Sequence, residues 1–245
     1  MERTSQAEKV DFSVGIPICD EEAILLENTS RLCQYLEELG VYEVIIVSNG
    51  SADRSVEIGR QLAAHNARVR FFEIRQRNVA EAFQIMLGEA RSDFLISLDM
   101  DLSAHLEFVE EALRLLHSHD LVVGSKKLGS QKRSFIRKVG SDLYIRCARR
   151  LLQLGVDDYS MGAKAYRVSF FERFKGQLGN GTCYVVNALY LARWNGGRIV
   201  QIPVSCHDLR RSRFNLAYEA LHKFAHLFHL WLKHVWTQGK VPPPD

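Results

Sequence analysis

The sequence predicts an α/β fold: a Rossmann-like half with a mostly parallel mixed sheet, helices on both faces, and an amphipathic helix near the carboxyl end. Three observations carry that prediction. Short apolar runs alternate with longer stretches whose apolar residues recur every three or four positions, the pattern of strands joined by crossover helices. One run, Leu95-Ile96-Ser97-Leu98, stops at Asp99 and Asp101, two carboxylates separated by one residue at the carboxyl end of a buried strand. The last apolar periodicity, Leu216 to Trp236, is helical in spacing and carries both large apolar and basic side chains.

Taken in order, Phe12 to Ile18 reads as the first strand. Asp20, Glu21 and Glu22 then open a helix through Leu25, Leu26, Thr29, Leu32 and Leu36, with acidic residues at the positive end of its dipole and Gly40 as its stop. Val44 to Val47 is the second strand, Ser48-Asn49-Gly50-Ser51 a tight turn, and Asp53 the start of a helix through Val56, Ile58 and Leu62. Val69 to Ile74 and Val79 to Ala90 repeat the unit. The strand ending at Asp99 follows, then Ser103 as the N-cap of a helix carried by Leu106, Val109, Leu113 and Leu116, then a strand from Leu121 to Gly124.

The second half is more basic. Phe135 to Leu154 is an amphipathic helix bearing Arg137, Lys138, Arg146, Arg149 and Arg150; Val156 to Arg167 is a turn-rich passage; Tyr184 to Trp194 is a helix stopped by Gly196-Gly197; and Arg198 to Val204 is a strand. No Gly-x-Gly-x-x-Gly follows the first strand, which argues against a dinucleotide-dependent dehydrogenase.

Composition bounds the class. The chain has 245 residues, 47% hydrophobic and 25% charged, which is a globular balance with enough length to bury a large core. Its net charge of +3 gives no case for a nucleic-acid partner. Cys19, Cys33, Cys147, Cys183 and Cys206 are scattered and contain no Cys-x-x-Cys pair, so reduced thiols in a cytoplasmic compartment are expected. The polar start has no signal-peptide core, and no apolar run approaches the ~20 residues of a membrane span. A soluble or peripheral protein is the expectation.

Several short motifs stand in a fixed order: Ile16-Pro17-Ile18-Cys19-Asp20-Glu21, Val47-Ser48-Asn49-Gly50-Ser51-Ala52-Asp53, Arg77-Asn78, Asp99-Met100-Asp101-Leu102-Ser103, Gly124-Ser125-Lys126, Asp158 through Arg167, and Ile202-Pro203-Val204. Together they resemble the inverting family 2 glycosyltransferases of GT-A fold, in the branch similar to dolichyl- and polyprenyl-phosphate mannosyl- and glucosyltransferases. The resemblance covers roughly Phe12 to Asn215. It implies transfer of a hexose from a nucleotide sugar, GDP- or UDP-linked, to a lipid phosphate, with Mg²⁺ or Mn²⁺ bridging the diphosphate.

On that resemblance, Asp101 and Asp99 hold the metal, with Asp99 also able to meet the ribose. Pro17, Glu21, Ser48, Asn49, Asp53, Asn78 and Met100 line the nucleotide side, and Arg210 and Arg211 reach the diphosphate. Lys126, Arg133 and Arg137 hold the acceptor phosphate, and Asp158 is the catalytic or substrate-orienting carboxylate. A lipid phosphate is already anionic, so positioning cations matter more than a strong base. The implied division is a flexible terminus at 1–10, a catalytic domain at 11–215 split into a nucleotide-sugar half (11–125) and an acceptor half (126–215), the terminal helix at 216–236, and a disordered tail at 237–245.

Departures from the family pattern keep other readings open. Ser48-Asn49 replaces a carboxylate pair, Asn187 stands where the family commonly has Glu, and His207 replaces the first Arg of the segment ending in Arg210, Arg211 and Arg213. A soluble or glycan acceptor, a non-catalytic regulatory module, and a nucleotidyltransferase are the alternatives. On the terminal helix, steps of about 100° place Glu219, His222, His226, His229 and Lys233 on one stripe, and Ala220, Leu221, Phe224, Phe228, Trp231 and Val235 opposite. The three histidines have a spacing that can chelate zinc, though a polar face needs no metal. The apolar arc suits packing on the core or a membrane surface.

Overall fold

The computed structural model describes residues 9–126, 128, 135–159, 161–205 and 216–238, with 135–139, 216–220 and 237–238 described by backbone alone. Its elements run β1 (Phe12–Ile18), α1 (Leu25–Leu36), β2 (Tyr42–Asn49), α2 (Ser55–His65), β3 (Val69–Ile74), α3 (Val79–Glu89), β4 (Phe94–Ser97), α4 (Glu107–Leu116) and β5 (Leu121–Ser125). They continue with α5 (Phe135–Leu152), β6 (Lys164–Arg167), α6 (Val168–Phe171), 3₁₀ turns at Glu172–Gln177 and Gly181–Cys183, α7 (Tyr184–Trp194), β7 (Ile199–Pro203) and α8 (Leu216–Gln238). The strands form one sheet in the order β3-β2-β1-β4-β6-β5-β7.

Strands β3, β2, β1 and β4 are parallel to one another, and β5 is parallel to β7, whereas β6 runs antiparallel between β4 and β5. Continuous apolar runs suit a sheet covered on both sides. Val44 and Ile46 face the core shared with α1 and α4, while Ile45 and Val47 face the core shared with α3, α5 and α7. Pro17 is tolerated in the central strand because its missing N–H falls beyond the end of β4. Two residues earlier, the Gly15 carbonyl still accepts Leu98 N at 3.1 Å.

Four expectations are corrected. Helix α1 begins at Leu25 rather than Asp20, because Asp20 has φ +54° and its carboxylate is used elsewhere: Oδ1 accepts Ala52 N at 2.7 Å and Oδ2 pairs with Arg77 at 2.6 Å. Ser103 is not the cap of α4, whose N-cap is Leu106; the Ser103 N–H instead closes a turn on Asp101 Oδ1 at 3.0 Å. The turn-rich passage holds a strand, β6.

On α8, finally, the core-facing residues are Leu227, Leu230 and His234, so the apolar arc is divided between a packed side and an outward side. His226 Nε2 lies 2.8 Å from Asn187 Oδ1 and His222 Nδ1 3.7 Å from Cys183 Sγ, so two members of the histidine stripe are engaged with α7 and the turn before it. Among the described residues no group of three metal-ligating side chains is assembled.

Candidate active site

The site is built where the strands end. Beyond Ser97 the chain of β4 leaves the sheet, Leu98 and Met100 turn into the core, and Asp99 and Asp101 turn the other way. Asn28 fixes this excursion by donating to the Met100 carbonyl at 2.8 Å, and Leu102 closes it with φ +48° and its N–H 3.1 Å from the Asp99 carbonyl. Met100, expected on the nucleotide side, therefore has a buried side chain and a carbonyl already engaged.

Asp99 sits on the floor of the cleft, open to solvent on one side and crowded by protein on the others. Burial and then the neighbouring charge of Asp101 push its pKa up to about 6, against the opposing pull of Lys164, Lys126 and the Gly162 N–H. Gly162 is required sterically. A Cβ there would lie 2.2 Å from Asp99 Oδ2, in the space the carboxylate occupies.

Strand β6 delivers one of the two cations that act on Asp99, and Lys126, just past β5, is the other. Because β6 is antiparallel between β4 and β5, its first residue, Lys164, pairs in register with Ser97 on one side and Val123 on the other. That register sets a lysine between the ends of β4 and β5, only 1% exposed, with its ammonium donating to the Met161 carbonyl. Burial lowers its pKa to about 8, partly offset by Asp158 and Asp99. Sequence reasoning passed over Lys164; the available signal was a lone lysine between glycine and an apolar-aromatic run.

Asp158 is 2% exposed, and its oxygens serve the protein. Oδ1 accepts Met161 N at 3.0 Å, and Oδ2 accepts Lys126 N at 3.4 Å and lies 3.8 Å from Lys126 Nζ. Lys164, Asp158 and Lys126 thus form a buried alternation of charge beneath the cleft, with Asp99 above it on the solvent-facing floor. Tyr184, buried and raised in pKa by burial and by Asp99, adds a neutral phenol beside Ser97.

On the nucleotide side, the ends of β1 and β2 are cross-bonded. Glu21 N donates to Ser55 Oγ at 2.8 Å, Glu22 N to Asp53 Oδ2 at 3.0 Å, and Ser55 N to Asp53 Oδ1 at 2.9 Å. Burial works against the Asp53 charge, but these hydrogen bonds outweigh it and hold the carboxyl below its ordinary range. Ser48 is wholly buried and donates to Ser51 Oγ, so it supports the turn from within. Asn49 Oδ1 accepts Asn78 N at 2.5 Å, and Asn78 in turn caps α3 and accepts Gly181 N at 2.9 Å. This ties β2, α3 and the turn before α7 together.

The structure therefore gathers Pro17, Glu21, Asn49, Asp53, Asn78, Asp99, Asp101, Lys126 and Asp158 at one edge of the sheet. Arg137 is described by backbone only, and Arg133, Arg210 and Arg211 lie outside the described residues. On the α1 and α4 side of Asp101, a cleft of about 610 Å³ opens between Arg31, Tyr35, His105 and Glu107. Ser205 N closes on His105 Nδ1 at 3.2 Å. Two hard carboxylates, the charge of Asp101 acting on Asp99, are donors of the kind a divalent cation takes.

The chain is similar in sequence to several named proteins. Glycosyltransferase AglD of Haloferax volcanii is 27% identical over 232 residues, covering 91% of this chain and 37% of that protein. The undecaprenyl-phosphate 4-deoxy-4-formamido-L-arabinose transferase of Edwardsiella ictaluri is 30% identical over 198 residues, covering 78% of this chain and 58% of its own length. The enzyme of that name from Aeromonas hydrophila is 32% identical over 158 residues, covering 63% of this chain and 48% of its own length. The chain thus spans about a third to somewhat over half of these relatives.

Among solved structures, glucosyl-3-phosphoglycerate synthase from Mycobacterium tuberculosis in complex with Mn²⁺ and UDP-glucose superposes with a TM-score of 0.66 at 19% identity. That match covers 91% of this chain and 79% of that one, so the GT-A fold is shared. The family model described as glycosyl transferase family 2 matches residues 13–174, the span that runs from within β1 past α6 and includes the whole charged floor of the cleft; the chain belongs to that family.

Proposed function

We propose that the chain transfers a hexose from a nucleotide sugar to a polyprenyl phosphate, with inversion at the anomeric carbon, at the cytoplasmic face of a membrane. The observation that carries the reading is the pairing of Asp99 and Asp101 at the end of β4 with the buried Lys126–Asp158 ion pair beside them. An electrophile's leaving diphosphate and an anionic nucleophile each need a countercharge, and the two halves of the floor supply them separately. The names of relatives that act on undecaprenyl phosphate support the acceptor, and a neighbour crystallised with Mn²⁺ and UDP-glucose supports the donor.

In this reading Asp101 and Asp99 hold Mg²⁺ or Mn²⁺ against the diphosphate. The bound cation supplies Lewis-acid stabilisation of the leaving nucleoside diphosphate. Glu21, Asn49 and Asp53 line the base and ribose, with Pro17, Ser48, Asn78 and Met100 shaping that wall from behind. A phosphate oxygen of the acceptor attacks the anomeric carbon from the side opposite the donor diphosphate, the carbon–oxygen bond to the diphosphate breaks, and the diphosphate leaves with the electron pair. The attacking oxygen carries no proton at neutral pH, so no base is consumed. Asp158 acts by orientation, holding Lys126 toward the acceptor phosphate, with Arg133 and Arg137 as further cations and Arg210 and Arg211 serving the diphosphate.

The test supplies UDP-glucose and GDP-mannose, each with Mn²⁺, to undecaprenyl phosphate or to 3-phosphoglycerate. Lipid-extractable sugar that disappears in Asp101→Asn supports the reading. Transfer to the soluble acceptor alone replaces the lipid with a soluble phosphorylated acceptor, and no transfer or donor hydrolysis from either nucleotide sugar removes the enzymatic reading.

A further inference from the structure

Helix α8 presents two apolar faces, only one of which is packed among the described residues. Leu227, Leu230 and His234 pack inward, with Phe224 edge-on to Tyr144 of α5 at 5.4 Å and the His234 ring 4.3 Å from Trp194 of α7. On the opposite side Leu221, Phe228, Leu232, Val235 and Trp236 are 72%, 53%, 40%, 50% and 85% exposed. Their spacing places all five within a single stripe along the helix. Each of Leu221, Phe228 and Leu232 is followed by an exposed His222, His229 or Lys233, which form one margin of the stripe. From Leu221 to Gln238 the helix has no Asp or Glu. On α5, packed beside it, Leu143, Arg146 and Arg150 are also exposed.

Resting on the proposed lipid-phosphate acceptor, we propose that this outward face of α8 is a bilayer-docking surface, which lays the helix flat on anionic lipid. Charge argues against a second copy as the occupant: from Leu221 to Gln238 the helix carries Lys223 and Lys233 and no Asp or Glu, so two copies face to face would oppose like charges, whereas an anionic bilayer supplies the countercharge. A bilayer needs only that a few side chains enter the acyl boundary while cations meet the headgroups. No described helix is long and apolar enough to cross a membrane, which fits a helix that lies on one.

The position is also suitable. The first turns of α8 stand close to the catalytic floor: His222 meets Cys183 in the turn bonded to Asn78, and the charge of Lys223 is felt at Lys164. A membrane under this face brings a lipid phosphate to the level of the cleft.

The experiment is flotation of the full chain with phosphatidylcholine vesicles containing phosphatidylglycerol, comparing wild type with the double substitution Phe228→Ser and Trp236→Ser. Both positions are exposed, so the thermal midpoint should be unchanged. Wild type is expected to float, and the variant to bind at least about tenfold more weakly, since each apolar side chain inserted contributes on the order of a factor of ten. Absence of flotation by wild type, undiminished binding by the variant, or a concentration-dependent dimer that the substitutions dissolve would overturn the proposal. The assay contains no sugar or acceptor. Transfer to dispersed acceptor without flotation therefore counts against docking alone, and flotation without transfer counts against the enzymatic reading alone.

Discussion

Gly162 and Asp99 occupy one another's space: the direction in which any side chain at 162 would grow is filled by the carboxylate, 2.2 Å from an ideal Cβ. Gly162→Ala must push Asp99 off the cleft floor, because the neighbouring backbone of β4 and β6 is held in register. Displacing a site carboxylate by about 1 Å costs on the order of a hundredfold in rate. Transfer assays should show that loss with little change in the urea midpoint; a variant within a factor of two of wild type would place the catalytic carboxylate elsewhere.

Asp99 also predicts a pH dependence for cation binding. Its pKa of about 6 arises from burial and from Asp101, so below pH 6 a proton occupies the oxygen that a cation needs. Apparent Mn²⁺ affinity should fall about tenfold per pH unit below 6 and level off above it, followed by calorimetry with UDP present. Asp101→Asn should weaken Mn²⁺ binding about a hundredfold or more at pH 7.5. An affinity flat from pH 5 to 8 would show that Asp99 does not bind the ion.

The buried Lys164 makes a stability prediction with a definite sign. Its folded pKa of about 8 lies below the ordinary 10.5, so between these values the unfolded chain holds a proton that the folded chain has released. Unfolding free energy therefore rises with pH in that window, at most ~1.4 kcal/mol per unit. Below pH 8 both states are protonated, and the lysine carries its full burial cost. Urea denaturation of wild type and Lys164→Met at pH 7, 8, 9 and 10 should give a stability difference that is flat up to about 8 and then moves in favour of wild type. A constant difference would mean that Lys164 stays charged in the fold.

Asn78 is a stability position as much as a pocket residue. It caps α3 through Glu81 N at 3.4 Å and holds Gly181 N at 2.9 Å, so Asn78→Ala removes a cap and strands a second donor. About 1–3 kcal/mol should be lost in chemical denaturation. Asn78→Ser, which retains an acceptor at the cap, should recover part of it.

The fold was readable because its strands are continuous apolar runs and its helices have clean periodicity: β1, β3 and α7 lie within a residue of where the sequence places them. Strand β6 was hidden for a physical reason. It is four residues long, begins with a charged side chain, and follows a turn-forming Asp158, so local pattern favours a loop; only the tertiary company of Asp99 and Asp158 makes burial of Lys164 tolerable. Ser103 misled because a serine before an apolar run reads as a cap, while its N–H is used by Asp101. The faces of α8 were divided by hydropathy alone. The helix instead buries His234 against Tyr190 and Trp194 and leaves Phe228 and Trp236 outside.

The antiparallel insertion of β6 has a further consequence for how the chain can be made. β4 and β5 never pair with each other; each is hydrogen-bonded to a strand that lies about forty residues further along for β5 and about seventy for β4. A ribosome that has released β1 to β5 has therefore produced two bare strand edges with a gap between them, and the sheet is sealed only when Lys164 to Arg167 emerges. Residues up to 125 expressed alone should expose those edges and aggregate. Splitting the gene after residue 167 leaves the seam intact, and that is where a two-fragment complementation system should be cut.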